Sequence, residues 1–318
     1  MHFEGLVKHQ DRVNLAAVCD PDTARVASIR EKYGNPAGYS SLAQMIKGSD
    51  WEVGIVCTPT SLREPVVEEL AAAGKHILVE KPMASTYQEA LRMVNLCERA
   101  GVKLAVDQNF RYHYPFELAR ERIAAGDIGT VTSIIQRDIF FRQDKGWRLQ
   151  EKRHGLAVMG IHWLDGARWI LGSDATSLYA QTRSSDAIDC AGDTDATVTI
   201  AFENGAIATY IQSFSSTVGA TETLVIGDKG TLKLSYEGME LYDKPRSPVS
   251  QTWPNKYGGE NKTESAFECL NLLLSSLESG VEPPNSGWDN LKTVALLEAC
   301  YLSAESGSPV ALKKGVLP

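Results

Sequence analysis

Two basic side chains carry the strongest chemical signal in this sequence, Lys81 and His162. Lys81 lies in the stretch Gly74–Ala84, GKHILVEKPMA, where the apolar run Ile77-Leu78-Val79 ends in an acid, a base and a proline. An apolar run bounded by turn residues reads as a buried parallel strand, although periodicity alone does not separate it from buried helix. Open α/β sheets bind ligands just beyond the carboxyl ends of such strands, where Glu80 and Lys81 would stand. Pro82 has no N–H and stops the ladder, and the bond before it is of the type that tolerates cis. Alone, these three residues read first as a solvated strand end with a salt bridge. His162 belongs to a helical stripe with Val158, Asp165 and Trp169. Histidine can serve as a base near neutral pH, and Asp165 is a carboxylate that could orient it. The plainer alternative is a core histidine bonded to that aspartate.

Other strand ends carry further candidates. Asp20 directly follows the run Val13–Cys19. A carboxylate there can accept both ribose hydroxyls of an adenosine and repel a 2′-phosphate, which favours NAD over NADP. Aspartate also suits the N-cap of the next helix, and Arg25 is the one nearby residue able to accommodate a phosphate. Thr58-Pro59 ends the next strand and can pass its backbone alongside a cofactor, as can any plain turn. Asn109 and Arg111, in Asn109-Phe110-Arg111-Tyr112, put an amide and a guanidinium at the same sheet edge as Lys81. Trp147 and Arg148 precede the His162 helix and either line a cleft or pack as ordinary loop.

The elements that must position these residues change character midway. Strands over Val13–Cys19, Glu52–Thr58, Ile77–Val79 and Lys103–Asp107 alternate with helices over about 22–33, 42–47, 61–73 and 86–100, predicting a parallel sheet with helices on both faces. After a helix near 115–125, strands are predicted over 131–140, 194–202, 207–214, 221–226 and 231–235, interrupted by a helix over 156–171. Two helices close the chain, near 265–279 and 288–306. Glu203-Asn204-Gly205 and Gly227–Gly230 read as hairpin connections, and 244–262 as a loop. The second half is therefore α+β, with an open, mostly antiparallel sheet whose free face predicts a homodimer or homotetramer. The division expected is 1–108 and 109–318.

Composition bounds the rest. With 318 residues, two domains are expected. A net charge of −8 argues against general nucleic-acid binding, and no apolar run approaches the ~20 residues of a membrane span. Six cysteines without a CxxC pair read as reduced, mostly core thiols of a cytoplasmic protein, and no metal set is predicted.

The beginning departs from a dinucleotide-binding pattern, which opens strand, Gly-rich turn, helix. No GxGxxG occurs anywhere. His2–His9 has helical spacing at Phe3, Leu6 and Val7, as a first helix entered after its phosphate loop would. The expectation is that about 12 residues of strand and turn precede Met1 in the gene, leaving Val13–Cys19 unpaired on one side; a degenerate fold with a lost cofactor site is the alternative.

Cys19-Asp20-Pro21-Asp22, Thr58-Pro59, Gly74-Lys75-His76 with Glu80-Lys81-Pro82, Asn109-Phe110-Arg111, Gly126-Asp127-Ile128-Gly129 and Gly160-Ile161-His162 occur in one order and spacing. In these motifs the whole chain resembles the Gfo/Idh/MocA family, glucose–fructose oxidoreductase, inositol dehydrogenase and relatives. The resemblance implies a Rossmann domain whose first strand is missing here, an α+β C-terminal domain, and NAD(P) and substrate in the cleft between them. It implies a sugar, polyol or related hydroxy compound as substrate. Lys81 would bond the reacting oxygen and His162 would take the hydroxyl proton. Asp20, Thr58, Pro59, Glu80, Lys81 and Asn109 would line the cofactor, and Arg111, Trp147, Arg148 and Asp165 the substrate. Two positions depart from the family: Val158 where many members carry aspartate, and Arg63 where relatives often carry histidine. Two other readings stay open, a glycosidase-like enzyme oxidising its substrate transiently and a non-catalytic NAD-sensing protein.

Overall fold

A computed structural model describes residues 1–318. The chain divides into two compact units, one formed by Met1–Asn109 with Lys262–Asn290, the other by Phe110–Asn261 with Leu291–Pro318. None of its helices is long and apolar enough to cross a membrane.

The first unit opens with α1 (His2–Lys8). Of the run 13–19, only β1 (Ala17–Cys19) enters a ladder, pairing in parallel with β2 (Ala37–Tyr39), a strand too short to show in the sequence pattern. A separate parallel sheet has the order β3 (Val53–Val56), β4 (His76–Glu80), β5 (Leu104–Asp107). No ladder joins the two sheets, so β1 and β3 each keep one edge without a strand partner. Between the strands run α2 (Thr23–Lys32), α3 (Leu42–Gly48), α4 (Arg63–Ala72) and α5 (Tyr87–Ala100). Local chemistry sets their ends. Thr86 caps α5, its Oγ1 accepting from Glu89 N, and Glu89 Oε2 reaches back to accept from Ser85 N just before the cap. Gly101 stops the helix at φ 70°, where a Cβ would be strained.

One domain assignment changes. The helix expected near 265–279 in the second domain is α8 (Lys262–Ser279), which packs on β4 and β5 of the first unit. Asn285, just after it, donates to the carbonyls of Val106 and Cys269. An amphipathic stripe shows that a helix has a buried face, not which sheet buries it.

The second unit contains α6 (Tyr114–Ala124), α7 (Ile161–Leu171) and a sheet of nine strands. In chain order these are β6 (Val131–Phe141), β7 (Ala175–Arg183), β8 (Asp195–Phe202), β9 (Ile207–Ser213), β10 (Ser215–Gly227), β11 (Thr231–Ser235), β12 (Gly238–Tyr242), β13 (Gln251–Pro254) and β14 (Val310–Ala311). Their spatial order is β13-β12-β11-β10-β6-β9-β8-β7-β14, antiparallel except at β6–β9. Strands β7, β12, β13 and β14 were not expected, and β13 lies inside the stretch read as a loop. The last helix, α9 (Gly287–Ser306), begins in the first unit and continues in the second.

Burial alternates along β6, β8 and β9, so the sheet has one packed face. The other face is open and mixed, with Phe141 57% and Ile207 50% exposed and the Arg137–Glu222 ion pair among them. Ile135 and Leu224 lie opposite each other in the ladder on that same face.

The predicted helix 156–171 is two pieces. Leu156–Gly160 is a π-helical turn, and α7 proper starts at Ile161. Asp193 holds the entry with both carboxylate oxygens, accepting from His154 N and Leu156 N at 2.8 Å each, and Tyr301 donates to it as well. All six cysteines are free; Cys97, Cys269 and Cys300 are buried, whereas Cys19 and Cys57 are exposed. The expectation of mostly core thiols misses those two because they stand where a strand runs out of its sheet.

Candidate active site

In the first unit, parallel register brings three strand ends to one edge. Val56 pairs with Val79 and Glu80 with Asp107, so Cys57-Thr58-Pro59, Lys81-Pro82 and Gln108-Asn109 all leave the sheet together. The Lys81–Pro82 bond is cis. Glu80 does not face solvent as a simple salt bridge: its Oε1 meets His2 Nε2 at 3.0 Å and its Oε2 accepts from Lys81 N at 3.1 Å. Burial would raise the Glu80 carboxyl, but the hydrogen bond and charge of His2, with Lys81 and Arg63 nearby, hold it below its usual range. Asp107, 1% exposed, lies 3.3 Å from the same imidazole. Burial, then the Glu80 charge, pushes it up to about 7.

His2, Glu80 and Asp107 each offer a donor atom within 4.8 Å of the others, a spacing that could also hold a metal ion. The same spacing also suits an imidazolium bonded to Glu80 and close to Asp107. Burial would lower His2, but hydrogen bonds to Cys57 and Glu80 and the Asp107 charge raise it to about 11.

The N-cap of α2 is Asp22, which accepts from Ala24 N and Arg25 N. Asp20 is therefore not the cap. Its Oδ1 accepts from Asp22 N at 2.8 Å and its Oδ2 from Arg25 at 2.9 Å, which leaves the carboxylate at the end of β1. Thr58 Oγ1 is buried with no hydrogen-bond partner. An orphaned hydroxyl beyond a parallel strand suits a ligand atom. The strand-end carboxylate of Asp20 and the unpartnered Thr58 hydroxyl are compatible with NAD at this edge. Asn109 is buried, its amide near Met1 Sδ.

In the second unit, His162 is buried on α7 and its ring stacks on Phe110, centroids 3.8 Å apart and planes within 14°. Phe110 also meets His113 at 4.3 Å and the edge of Trp163 at 5.3 Å. Trp163 Nε1 donates to Asp138, as does Thr221, and burial still pushes that carboxyl up to about 6.

The predicted link between Asp165 and His162 is not what Asp165 does. Its carboxylate takes a bidentate pair from Arg111, Nε to Oδ2 and Nη2 to Oδ1 at 2.5 Å each, and the Thr293 hydroxyl as well. Arg168 lies 3.6 Å from it. Arg111 and Asp165 are 2% and 1% exposed, so the two substrate candidates are spent on each other in the interior. The i, i+3 step turns adjacent side chains by about 60° around a helix, enough to aim His162 and Asp165 at different neighbours. Trp147 and Arg148 sit on an exposed turn at 146–150, Trp147 44% exposed and Arg148 5.5 Å over its ring.

Two residues that organise this chemistry were not singled out, and a third, Arg63, stood out only as a departure from the family. Phe110 and Asp193 carried no signal beyond a turn aromatic and a loop acid. Arg63 did carry one: a cation in the first turn of a helix opposes the helix dipole, yet its side chain is buried.

Comparison with known proteins bears on the family and the fold. The profile of an oxidoreductase family with an NAD-binding Rossmann fold matches residues 1–108, and that of the GFO/IDH/MocA C-terminal domain matches residues 116–233. D-apiose dehydrogenase of Paraburkholderia graminis is 32% identical, over 95% of this chain and 84% of its own. Myo-inositol 2-dehydrogenase of Thermotoga maritima is 26% identical, over 99% and 95%. An oxidoreductase of Agrobacterium radiobacter, solved with NAD+, L-tartaric acid and magnesium, superposes with a TM-score of 0.88 at 27% identity, over 97% and 94%. With two profiles in sequence order and relatives along nearly its whole length, the chain belongs to the GFO/IDH/MocA family of NAD-binding oxidoreductases.

Proposed function

We propose that this protein is an NAD-dependent dehydrogenase of a sugar, polyol or related hydroxy compound, with Lys81 polarising the reacting oxygen and His162 as acid/base. The observation that carries the reading is the shared edge of β3, β4 and β5, which delivers Thr58-Pro59, Lys81 and Asn109 together and leaves Thr58 Oγ1 buried without a partner. The relatives named for D-apiose and myo-inositol support the substrate class.

NAD when bound supplies the hydride acceptor. Asp20 would hold its adenosine ribose, and Thr58, Pro59, Glu80 and Asn109 would border it. The proton of the substrate hydroxyl passes to an imidazole nitrogen of His162, and the Lys81 ammonium stabilises the negative charge growing on that oxygen. The stack on Phe110 keeps the His162 ring in one plane while it does so. Val158 provides no second acid/base, and Asp165, paired with Arg111, does not replace it. Trp147 and Arg148 contribute to substrate recognition from their exposed turn. The exposed Ile135, Phe141 and Ile207 on the open face of the second unit's sheet support a homodimer or homotetramer, and six free cysteines fit a reducing, cytoplasmic setting.

The test combines NAD and NADP calorimetry with NADH formation on a panel of sugars and cyclitols. The expected result is NAD binding, turnover of a panel member, and a 10²–10⁴-fold loss in His162→Ala and Lys81→Ala. Glycoside cleavage without net NADH, or NAD binding with no turnover at all, refutes the dehydrogenase reading in favour of the glycosidase or sensor alternative.

A further inference from the structure

Arg63 is 4% exposed and occupies the first turn of α4. That is an unfavourable place for a guanidinium, since the helix N-terminus is itself positive and burial removes hydration. Departures from a local rule concentrate at sites that the fold uses.

What Arg63 gains is two backbone carbonyls. Its Nε donates to Thr58 O at 3.1 Å and its Nη1 to Pro82 O. These carbonyls belong to the turns that follow β3 and β4. The ladder between those strands ends at Val56–Val79, and Pro59 and Pro82 have no N–H to extend it. The planar fork of one arginine spans turns that the backbone does not tie together. Lysine is a point charge without the fork, and histidine has a shorter reach.

We propose that Arg63 is a positioning residue that fixes the spacing of the Thr58-Pro59 and Lys81-Pro82 turns, and through it the place of Lys81. It acts on backbone carbonyls rather than on substrate. The proposal rests on the dehydrogenase reading for the use of those turns, but the coupling of the turns stands on geometry alone.

The experiment follows amide exchange by mass spectrometry in wild type, Arg63→Gln and Arg63→Lys, alongside NAD calorimetry. In Arg63→Gln, peptides covering 57–62 and 80–86 should exchange at least tenfold faster together, with 102–107 unchanged, and NAD should bind at least tenfold more weakly. Arg63→Lys should show the same paired change to a smaller degree, and it decides the matter if the glutamine variant does not fold. Faster exchange throughout the first unit would show mere stabilisation and overturn the proposal. So would exchange within twofold of wild type in both turns, or loosening of one turn alone. Should wild type bind no NAD, the dehydrogenase reading falls while the paired exchange still decides the role of Arg63.

Discussion

Removing the charge of Asp165 tests whether the Arg111–Asp165 pair is structural. In Asp165→Asn the shape is kept, but the Arg111 guanidinium, 2% exposed, loses its counter-charge, and Arg168 faces it across the lost carboxylate. Breaking a buried pair from one side costs about 3–5 kcal/mol, because the remaining charge is left without compensation. For domains of 150–250 residues each kcal/mol moves the melting temperature about 2–4 °C. The expected fall is therefore roughly 6–20 °C for the second unit, followed by circular dichroism and calorimetry. The double variant Arg111→Met, Asp165→Leu removes both charges and should recover most of the loss. A loss under about 1 kcal/mol in Asp165→Asn, with KM raised for the substrate, would refute the argument and return Asp165 to the binding site.

The remaining predictions concern pH and assembly. Burial and the Glu80 charge raise Asp107 from 3.8 to about 7, so the folded state holds a proton that the unfolded chain has released. Its contribution is fully present below about pH 4 and is lost as pH rises through about 7. The melting temperature of Asp107→Asn relative to wild type should climb from about pH 4.5 to about pH 7 and then level off, and a constant difference would contradict the sign. On the open sheet face, Ile207→Lys with Phe141→Glu should shift sedimentation to a smaller species at unchanged helix content. A wild-type protein that sediments as a monomer would show that this face has no second copy to bind.

Much of the candidate chemistry was legible in the sequence. The carboxyl ends of β3, β4 and β5 could be read because an apolar run cut off by polar and turn residues is a local pattern, and so Asp20, Thr58, Lys81 and Asn109 stood out. His162 was legible as a polar residue on an apolar stripe. The strands β7, β12 and β13 were not, being short, mixed in pattern or embedded in polar sequence. The partner of Asp165 was illegible for a different reason: Arg111 is 54 residues away and Thr293 is 128 away.

Order of elements, strand ends, charge balance and the candidate acid, base and cation follow from the sequence, because side-chain periodicity and turn chemistry act over a few residues. Which carboxylate each of those groups meets was decided only by tertiary packing. Asp165 left His162 for Arg111, Glu80 turned to His2, α8 joined the first unit, and Arg63 reached across two turns. Such choices depend on which buried charges can be satisfied once distant segments share one interior, and no local pattern carries that information.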